Sequence, residues 1–400
     1  MFKFYRYFLM SALWVVVDRA FGLARAAGLL RGAAVRNAGV RRIAVMRTGA
    51  IGDVLMTTPA LRRIRALFPA AAITYYTRPE YREALEGNPN LDGVEELVHP
   101  RSKTHSAAEK REFLRSLRRR DYDMALFFDA GGPYTYLPAW RAGIPARVGW
   151  NDYGRGFPLT HRIPRRWNGP GHMIDWYLDL LEPFGGSGDD RRMEIHWRPD
   201  DEAAVERFLA GAGHRTLRVA LAPGGGENPW TVFHAKRWGK EKFAELAERV
   251  ARELGAAVVL VGAGSDADAA GYIVKNAAPA PLNAVGALTL KQTAALLARC
   301  GLFIGNDSAP LHIAAAAGTP TVAIFGPTRP ERLAPPGEGN VVVSAGSPCS
   351  PCYYELIGAF RKCARAECME EISVPEVFDA ALRLLERRGM NPGKGAEGFA

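Results

Sequence analysis

The chain has 400 residues, of which 48% are hydrophobic and 24% are charged, and its net charge is +10. This composition is typical of a folded globular protein and excludes disorder over most of the chain, while five cysteines are too few for a disulfide scaffold of this size. The length predicts about two domains.

The N-terminal arm, residues 1–40, concentrates the positive charge. Residues 1–42 contain eight Lys or Arg and a single acidic residue, Asp18. The apolar run from Tyr7 to Val17 is too short to span a bilayer, which takes about 20 residues. Apolar residues with interleaved arginines continue to Leu30 and predict an amphipathic helix on an anionic membrane surface. A helix packed on the protein itself and a cleaved signal peptide are the alternative interpretations.

Apolar runs and helical patterns alternate in the first half of the chain. The runs are Ile43–Met46, Ile73–Tyr76, Val94–Val98 and Met124–Phe128. This alternation predicts βαβ units that build a parallel sheet, within a domain over residues 41–190.

The pattern lapses over residues 181–203, where glycine and charge increase, and we expect the domain junction there. It restarts at "RVALAPGGG" and predicts a second parallel-sheet domain over residues 200–375, then a C-terminal helix and tail over 376–400. Ligands of open α/β sheets bind beyond the carboxyl ends of the strands, so the loops there are the candidate sites.

The first such loop, "MRTGAIGDVLMTTPAL", places a carboxylate, Asp53, where a strand gives way to a helix. Backbone N–H groups at a helix start favour a negative charge, so Asp53 is a capping residue or a functional carboxylate held in its ionised form.

Three later loops combine glycine, charge and hydroxyl groups. In "APGGGENPWTVFHAKRW", the glycines Gly224, Gly225 and Gly226 expose amides, and Lys236 lies within reach of an anion, which predicts a phosphate site, with a flexible loop and surface bases as the alternative. In "VGAGSDADA", Asp266 is predicted either to bind a ribose or to cap its helix.

The third loop region is "IGNDSAPLHIAAAAGTPTVAIFGPT". Asp307 and Ser308 end a strand and begin a helix of small residues whose first amides suit a diphosphate. His312 lies one helical turn after Ser308, and Gly326 and Thr328 follow the next strand and bound the same predicted pocket.

Four cysteines lie close together in the sequence as Cys349, Cys352, Cys363 and Cys368. Their spacing permits a structural zinc site or an iron–sulfur cluster within the segment 349–368. Free thiols or disulfides are the alternative.

The segments "RIAVMRTGAIGDVLMTTPALRRIRALFPAAAITYYT" and "FIGNDSAPLHIAAAAGTPTVAIFGPTRPERLAP" resemble the signature regions of glycosyltransferase family 9, the ADP-heptose:lipopolysaccharide heptosyltransferases, and "HAKRWGKEKFAEL" resembles the family's middle motif. The resemblance covers about Arg42 to Ala380. It implies an α/β protein of the GT-B type, with two Rossmann-like domains facing across a cleft. The N-terminal domain would bind the acceptor and the C-terminal domain the nucleotide sugar, and Asp53 matches the family's general base.

We therefore expect an inverting, metal-independent glycosyltransferase that moves a sugar, heptose from ADP-heptose above all, to a lipopolysaccharide core or related glycolipid. The alternatives are a transferase of the same family with another nucleotide sugar and a non-catalytic nucleotide-sugar-binding protein. The expected donor residues are Gly224, Gly225, Gly226, Lys236, Asp266, Asp307, Ser308, His312, Gly326 and Thr328. The expected acceptor residues are Thr48, Gly49, Gly52, Arg62 and Arg63.

We expect no catalytic cofactor and a cytoplasmic enzyme that is peripheral on the inner face of the membrane through its N-terminal arm. Nucleic acid is not an expected partner, because the basic segments lack the interleaved aromatic residues of a stacking surface.

Overall fold

The computed structural model describes residues 13, 15–23, 39–100, 102–129, 133–151, 154–164, 171–186, 188–210, 217–228, 231–354, 359–360, 363 and 365–390. The backbone forms two compact units. The first unit comprises residues 1–49 and 57–190, and the second comprises residues 50–56 and 191–400.

The first unit contains a six-stranded parallel sheet in the order β3-β2-β1-β4-β5-β6. Its strands are β1 (Arg42–Met46), β2 (Ala72–Thr77), β3 (Gly93–Glu96), β4 (Met124–Phe127), β5 (Ala146–Trp150) and β6 (His161–Ile163). The helices along this part of the chain are α1 (Ile51–Leu55), which packs with the second unit, and α2 (Thr58–Leu67), α3 (Ala107–Arg119), α4 (Pro133–Ala142) and α5 (Met173–Asp179). Short 3₁₀ turns lie at Pro79–Ala84 and Glu182–Phe184.

The second unit repeats this architecture with the sheet order β11-β10-β7-β12-β13-β14, again parallel. These strands are β7 (Arg218–Ala222), β10 (Ala257–Leu260), β11 (Leu282–Asn283), β12 (Leu302–Asn306), β13 (Thr321–Ile324) and β14 (Asn340–Val343), and two short antiparallel pairs join β8 (Glu227–Asn228) to β9 (Thr231–Val232) and β15 (Tyr353–Tyr354) to β16 (Ala359–Phe360). The helices are α6 (Pro199–Leu209), α7 (Lys240–Glu253), α8 (Ala267–Asn276), α9 (Leu290–Ala298), α10 (Ala309–Ala316), α11 (Pro330–Leu333), α12 (Glu367–Glu370) and α13 (Val374–Arg387), with 3₁₀ turns at His234–Lys236 and Gly264–Asp266.

Burial explains why the strands are continuous apolar runs. Every residue of β4 and β5 is buried, as expected for parallel strands with helices on both faces of the sheet. Helix α7 buries Phe243, Leu246, Ala247 and Val250 at helical spacing, so one face packs on the sheet and its charged face is exposed.

Both sheets have the strand order 3-2-1-4-5-6 of the Rossmann fold when numbered within each unit. The predicted α/β class with two Rossmann-like domains is confirmed. In this topology ligands bind where the strand order reverses, between β1 and β4 in the first unit and between β7 and β12 in the second. The domain bounds expected from the sequence stay predictions.

The described part of the N-terminal arm is helical at Leu13 and over residues 15–23. The Phe21 ring lies 4.6 Å from the Phe157 ring and 6.1 Å from the Trp140 ring, measured between centroids. Asp18 forms an ion pair of 2.5 Å with Arg162. These residues pack on the first unit, which agrees with the self-packing interpretation for one face of the arm. No helix among the described residues has the length and hydropathy needed to cross a membrane.

Candidate functional site

The candidate donor site lies where β7 and β12 end side by side in the second unit. Strand β7 leads into Pro223 and the three glycines, and β12 leads through Asn306 into Asp307. This is the point at which the strand order reverses, so the fold itself brings the predicted loops together.

The glycine loop fits only without side chains. Gly225 and Gly226 have φ values of +112° and +73°, in the left-handed region that other residues rarely adopt. A Cβ atom on Gly225 would lie 2.6 Å from the Cβ of Ser308, and one on Gly226 would overlap the carbonyl oxygen of Phe233. The loop is therefore packed closely against the start of α10 and the segment after β9.

Asp266 holds this loop through its carboxylate. One oxygen accepts a hydrogen bond from the Gly225 amide at 3.3 Å, and the other accepts one from the Ala263 amide at 3.0 Å. Asp266 is buried, and a Cβ atom on Gly224 would overlap its carboxylate. Neither bond caps α8, because the Asp266 side chain makes no hydrogen bond to the first amides of that helix, and the donor role of Asp266 stays a prediction.

These contacts also show which of the three glycine amides are available to bind a phosphate. The Gly225 amide donates to Asp266. Within the described residues, the amides of Gly224 and Gly226 donate to no carbonyl or carboxylate. These two amides therefore remain the candidates for binding an anion.

A buried charged cluster lies beside the glycine loop. Lys236 donates to Asp307 at 2.7 Å, and the Thr328 hydroxyl donates to the same carboxylate oxygen at 2.6 Å. Burial alone raises the pKa of Asp307, but the charges of Lys236 and His312 and the two hydrogen bonds outweigh it, so the net pKa is below its ordinary value. Asp307 is thus held as a carboxylate that orients Lys236.

His312 connects this cluster to the segment that carries Asp53. Its Nε2 atom lies 3.9 Å from the Asp307 carboxylate, and its ring contacts Gly52 of α1, where a Cβ atom would lie only 2.5 Å from Cδ2. The missing side chain at Gly52 thus makes room for His312, and the acceptor role of Gly52 stays a prediction. Asp53 is half-buried, and its carboxylate accepts a hydrogen bond from the Ala50 amide at 3.0 Å. Asp53 therefore caps its own helix.

We predict that Gly52→Ala lowers the free energy of unfolding by about 1–3 kcal/mol, the usual cost of overpacking a well-filled site. Gly271→Ala is the matched control, because Gly271 is also helical, lies in the same unit and has no atom within 4 Å of an added Cβ. The control should be neutral or stabilising by about 0.5–1 kcal/mol through helix propensity. Denaturant unfolding measures both, and equal stability of the two variants would contradict the His312 contact.

In the first unit the strand order reverses between β1 and β4, and there Asp129 binds residues of the loop after β1. Its carboxylate accepts hydrogen bonds from Arg47 at 2.5 Å and from the Thr48 amide at 2.7 Å, and Arg78 donates to the Thr48 carbonyl at 2.9 Å. Sequence reasoning predicted Thr48 and Gly49 but missed Asp129, Arg47 and Arg78. The position of Asp129 just after β4 was the available signal.

Arg62 and Arg63 face a different part of the first unit. Arg62 pairs with Asp190 at 3.2 Å, and Arg63 donates to the Gly185 carbonyl at 2.8 Å. The structure thus gives both arginines partners near the end of that unit, and their predicted acceptor role rests on the sequence alone.

The cysteine segment packs against the loop that carries Thr328. The amides of Cys352 and Tyr353 donate to the Pro327 carbonyl at 2.9 and 3.0 Å, and a Cβ atom on Gly326 would overlap Met369. Burial, reinforced by the three neighbouring thiols, raises the pKa of Cys368 to about 11.

No group of three or more His, Cys, Asp or Glu side chains within the described ranges is arranged to hold a metal ion. The structure therefore gives no support to a zinc site or an iron–sulfur cluster on Cys349, Cys352, Cys363 and Cys368.

The comparisons with known proteins agree on one class. A glycosyltransferase family 9 structure from Veillonella parvula has a TM-score of 0.75 at 24% identity and covers 89% of this chain and 100% of its own. The Escherichia coli ADP-heptose lipopolysaccharide heptosyltransferase II has a TM-score of 0.68 at 22% identity, covering 87% and 99%. These two likenesses show that the fold is of the GT-B type.

The sequence comparisons then give the family. Lipopolysaccharide heptosyltransferase 2 from Salmonella typhimurium is 29% identical over 314 residues, which are 74% of this chain and 85% of the relative. The family model of glycosyltransferase family 9 (heptosyltransferase) matches residues 110–356. The chain belongs to glycosyltransferase family 9.

Proposed function

We propose that this glycosyltransferase transfers heptose from ADP-heptose to a lipopolysaccharide core or a related glycolipid, with inversion at the anomeric carbon. The observation that carries the proposal is the Lys236–Asp307–Thr328 cluster beside the glycine loop, in a chain whose relatives are named heptosyltransferases. Another nucleotide sugar in the same site is the alternative.

The donor diphosphate is proposed to bind the amides of Gly224 and Gly226 and the Lys236 ammonium. A helix start and glycine amides favour an anion, and α10 begins next to Ser308. During transfer the leaving nucleoside diphosphate gains negative charge, which these donors stabilise without a divalent cation. Asp307 carries negative charge, so its proposed roles are to hold Lys236 and to meet a sugar hydroxyl.

Asp53 is proposed as the general base. An inverting transfer needs a carboxylate that removes the proton of the acceptor hydroxyl while that oxygen attacks the anomeric carbon. Asp53 lies in the first turn of α1, and its half-exposed position leaves it accessible to an acceptor. Thr48 and Gly49 precede it and are proposed acceptor contacts, while Arg62 and Arg63 are the weaker candidates because both already have protein partners.

The deciding experiment measures nucleotide release by the purified protein from ADP-heptose and from a panel of UDP-sugars, with and without a lipid A–core acceptor. Acceptor-dependent ADP release is the expected result. Turnover of a UDP-sugar alone would replace the donor but keep the enzyme class, and binding of ADP without any turnover would favour the non-catalytic alternative.

The N-terminal arm is proposed to hold the enzyme on the inner face of the cytoplasmic membrane. While Phe21 and Asp18 face the first unit, the residues Leu13, Val16 and Leu23 are 54%, 65% and 73% exposed. Their spacing puts Val16 and Leu23 on one helix face, opposite Phe21, with Leu13 at the edge of that face. An apolar face on a strongly basic segment suits an anionic lipid surface.

We predict that Val16→Asp with Leu23→Asp reduces co-sedimentation with anionic phospholipid vesicles at least about tenfold and leaves the melting temperature unchanged, since both side chains are exposed. Phe21→Ala is the contrasting variant, because it removes the contacts with Trp140 and Phe157 and should lower the melting temperature. Full vesicle binding by the double aspartate variant would rule out this lipid-binding face.

A further inference from the structure

Asn306 is a fully buried polar residue at the end of β12, next to the donor cluster. Its Nδ2 atom donates to the carbonyl of Pro223 at 3.1 Å and to that of Gly224 at 2.9 Å. Its Oδ1 atom accepts from the Trp238 amide at 3.0 Å. The carboxamide thus uses both donor hydrogens and its acceptor.

These three bonds join separate pieces of the proposed donor site. Pro223 and Gly224 begin the glycine loop, Trp238 follows the turn that carries Lys236, and Asn306 precedes Asp307. An apolar side chain in place of Asn306 would leave two buried carbonyls and one buried amide without partners, and a carboxylate could not donate to the carbonyls.

The bond from Asn306 to the Pro223 carbonyl also determines the direction of the Gly224 amide, which is proposed to bind the phosphate. In a trans peptide the C=O and the following N–H point in opposite directions. Since the Pro223 carbonyl points to Asn306, the Gly224 amide points away from Asn306. The next peptides are fixed in the same way, because the Gly225 amide donates to Asp266 and the Gly225 carbonyl accepts from Arg237 at 2.7 Å.

We propose that Asn306 is a positioning residue for the donor diphosphate: it sets the direction of the Gly224 amide and ties the glycine loop to the segment that carries Lys236. This inference rests on the proposed function, since it takes the nucleoside diphosphate as the ligand of the loop. Asn306 would thus shape the site before the ligand binds, through hydrogen bonds to the backbone and without touching the ligand.

The test is Asn306→Asp, which keeps the size of the side chain and the acceptor for Trp238 but removes both donors to the loop. We expect the dissociation constant for ADP, measured by calorimetry, to rise at least about tenfold, the effect of losing one hydrogen bond to a buried group. An unchanged ADP affinity would overturn the proposal.

Asn340→Asp is the matched control within the same unit. Asn340 on the edge strand β14 also donates to a proline carbonyl, that of Pro336 at 2.7 Å, and accepts from Thr321 at 2.8 Å. Because it touches no part of the glycine loop, this variant should bind ADP within about twofold of the unaltered protein. An equal loss of affinity in both variants would make the effect general and contradict positioning by Asn306.

Hydrogen exchange of the ligand-free protein tests the positioning role of Asn306 without assuming which nucleotide sugar is the donor. In Asn306→Asp the Gly225 amide should exchange faster, while the Trp238 amide keeps its protection and the rest of the second unit is unchanged. If the unaltered protein fails to bind ADP but this local change appears, the positioning role stands and the proposed nucleotide is wrong. If amides throughout the second unit lost protection equally, Asn306 would only stabilise the fold, and the positioning role would be wrong.

If the aspartate variant does not fold, Asn306→Ser removes both Nδ2 donors without adding a charge beside Asp307, and its single hydroxyl hydrogen can serve at most one of the two carbonyls. Its predicted effects on ADP affinity and on Gly225 exchange are the same, and normal values of both would overturn the proposal.

Discussion

Asp53→Asn is expected to lower the turnover rate by about two to four orders of magnitude, the range found when a general base is removed. The amide cannot accept the proton of the acceptor hydroxyl, but its oxygen can still accept the hydrogen bond from Ala50 that caps α1. ADP affinity and the melting temperature should therefore be nearly unchanged. Acceptor-dependent ADP release, calorimetry and thermal unfolding measure these three quantities on one preparation.

The opposite pattern would return Asp53 to a purely structural role. If Asp53→Asn melts earlier and loses activity only in proportion to its folded fraction, the carboxylate serves the helix cap alone. Asp268→Asn is a suitable control, because Asp268 also lies in the first turn of a helix in the same unit, and its replacement should leave turnover unchanged.

Lys236→Met should have the second large effect, on stability and on donor binding together. The variant leaves the buried Asp307 carboxylate without its cation, and breaking a buried pair in this way costs about 3–5 kcal/mol. We expect the lower end of that range, because 18% of the Lys236 side chain is exposed and Thr328 still donates to Asp307. Denaturant unfolding gives the free energy, and calorimetry with ADP gives the affinity.

A double variant separates the two effects. Lys236→Met with Asp307→Asn removes both charges, so much of the lost stability should return, whereas ADP binding and turnover should stay low. Recovery of turnover in the double variant would show that Lys236 acts only by neutralising Asp307. Lys275→Met, at an exposed position of α8, is the control for loss of one positive charge.

The sequence allowed the sheets to be predicted because parallel strands are buried on both faces and appear as uninterrupted apolar runs. The chemical residues at strand ends could be predicted for a related reason, since the topology gathers the carboxyl ends of the strands. Asp307, Lys236 and Thr328 are in contact in the structure as that argument expects.

Residues whose role depends on a distant partner could not be predicted in this way. Asn306 directly precedes Asp307 and Ser308, which were predicted as site residues, but Asn306 itself was not. Its bonds to Pro223 and Trp238 exist only after β7 and β12 pair. Asp266 has a local pattern compatible with a ribose or a cap, and its bond to the Gly225 amide exists only once the glycine loop packs against it. Gly52 likewise gains its contact with His312 through a helix remote in sequence.

The assignment of residues 50–56 to the second unit has a consequence for the order of assembly. This segment leaves the ribosome early, directly after β1, but His312, which packs against Gly52, is synthesised in the last third of the chain. The contact between them cannot form before His312 has been synthesised. The proposed general base is therefore seated only when translation is nearly finished, so a nascent chain that already contains a complete first sheet is still catalytically silent. A fragment starting at residue 191 would lack the helix that covers His312.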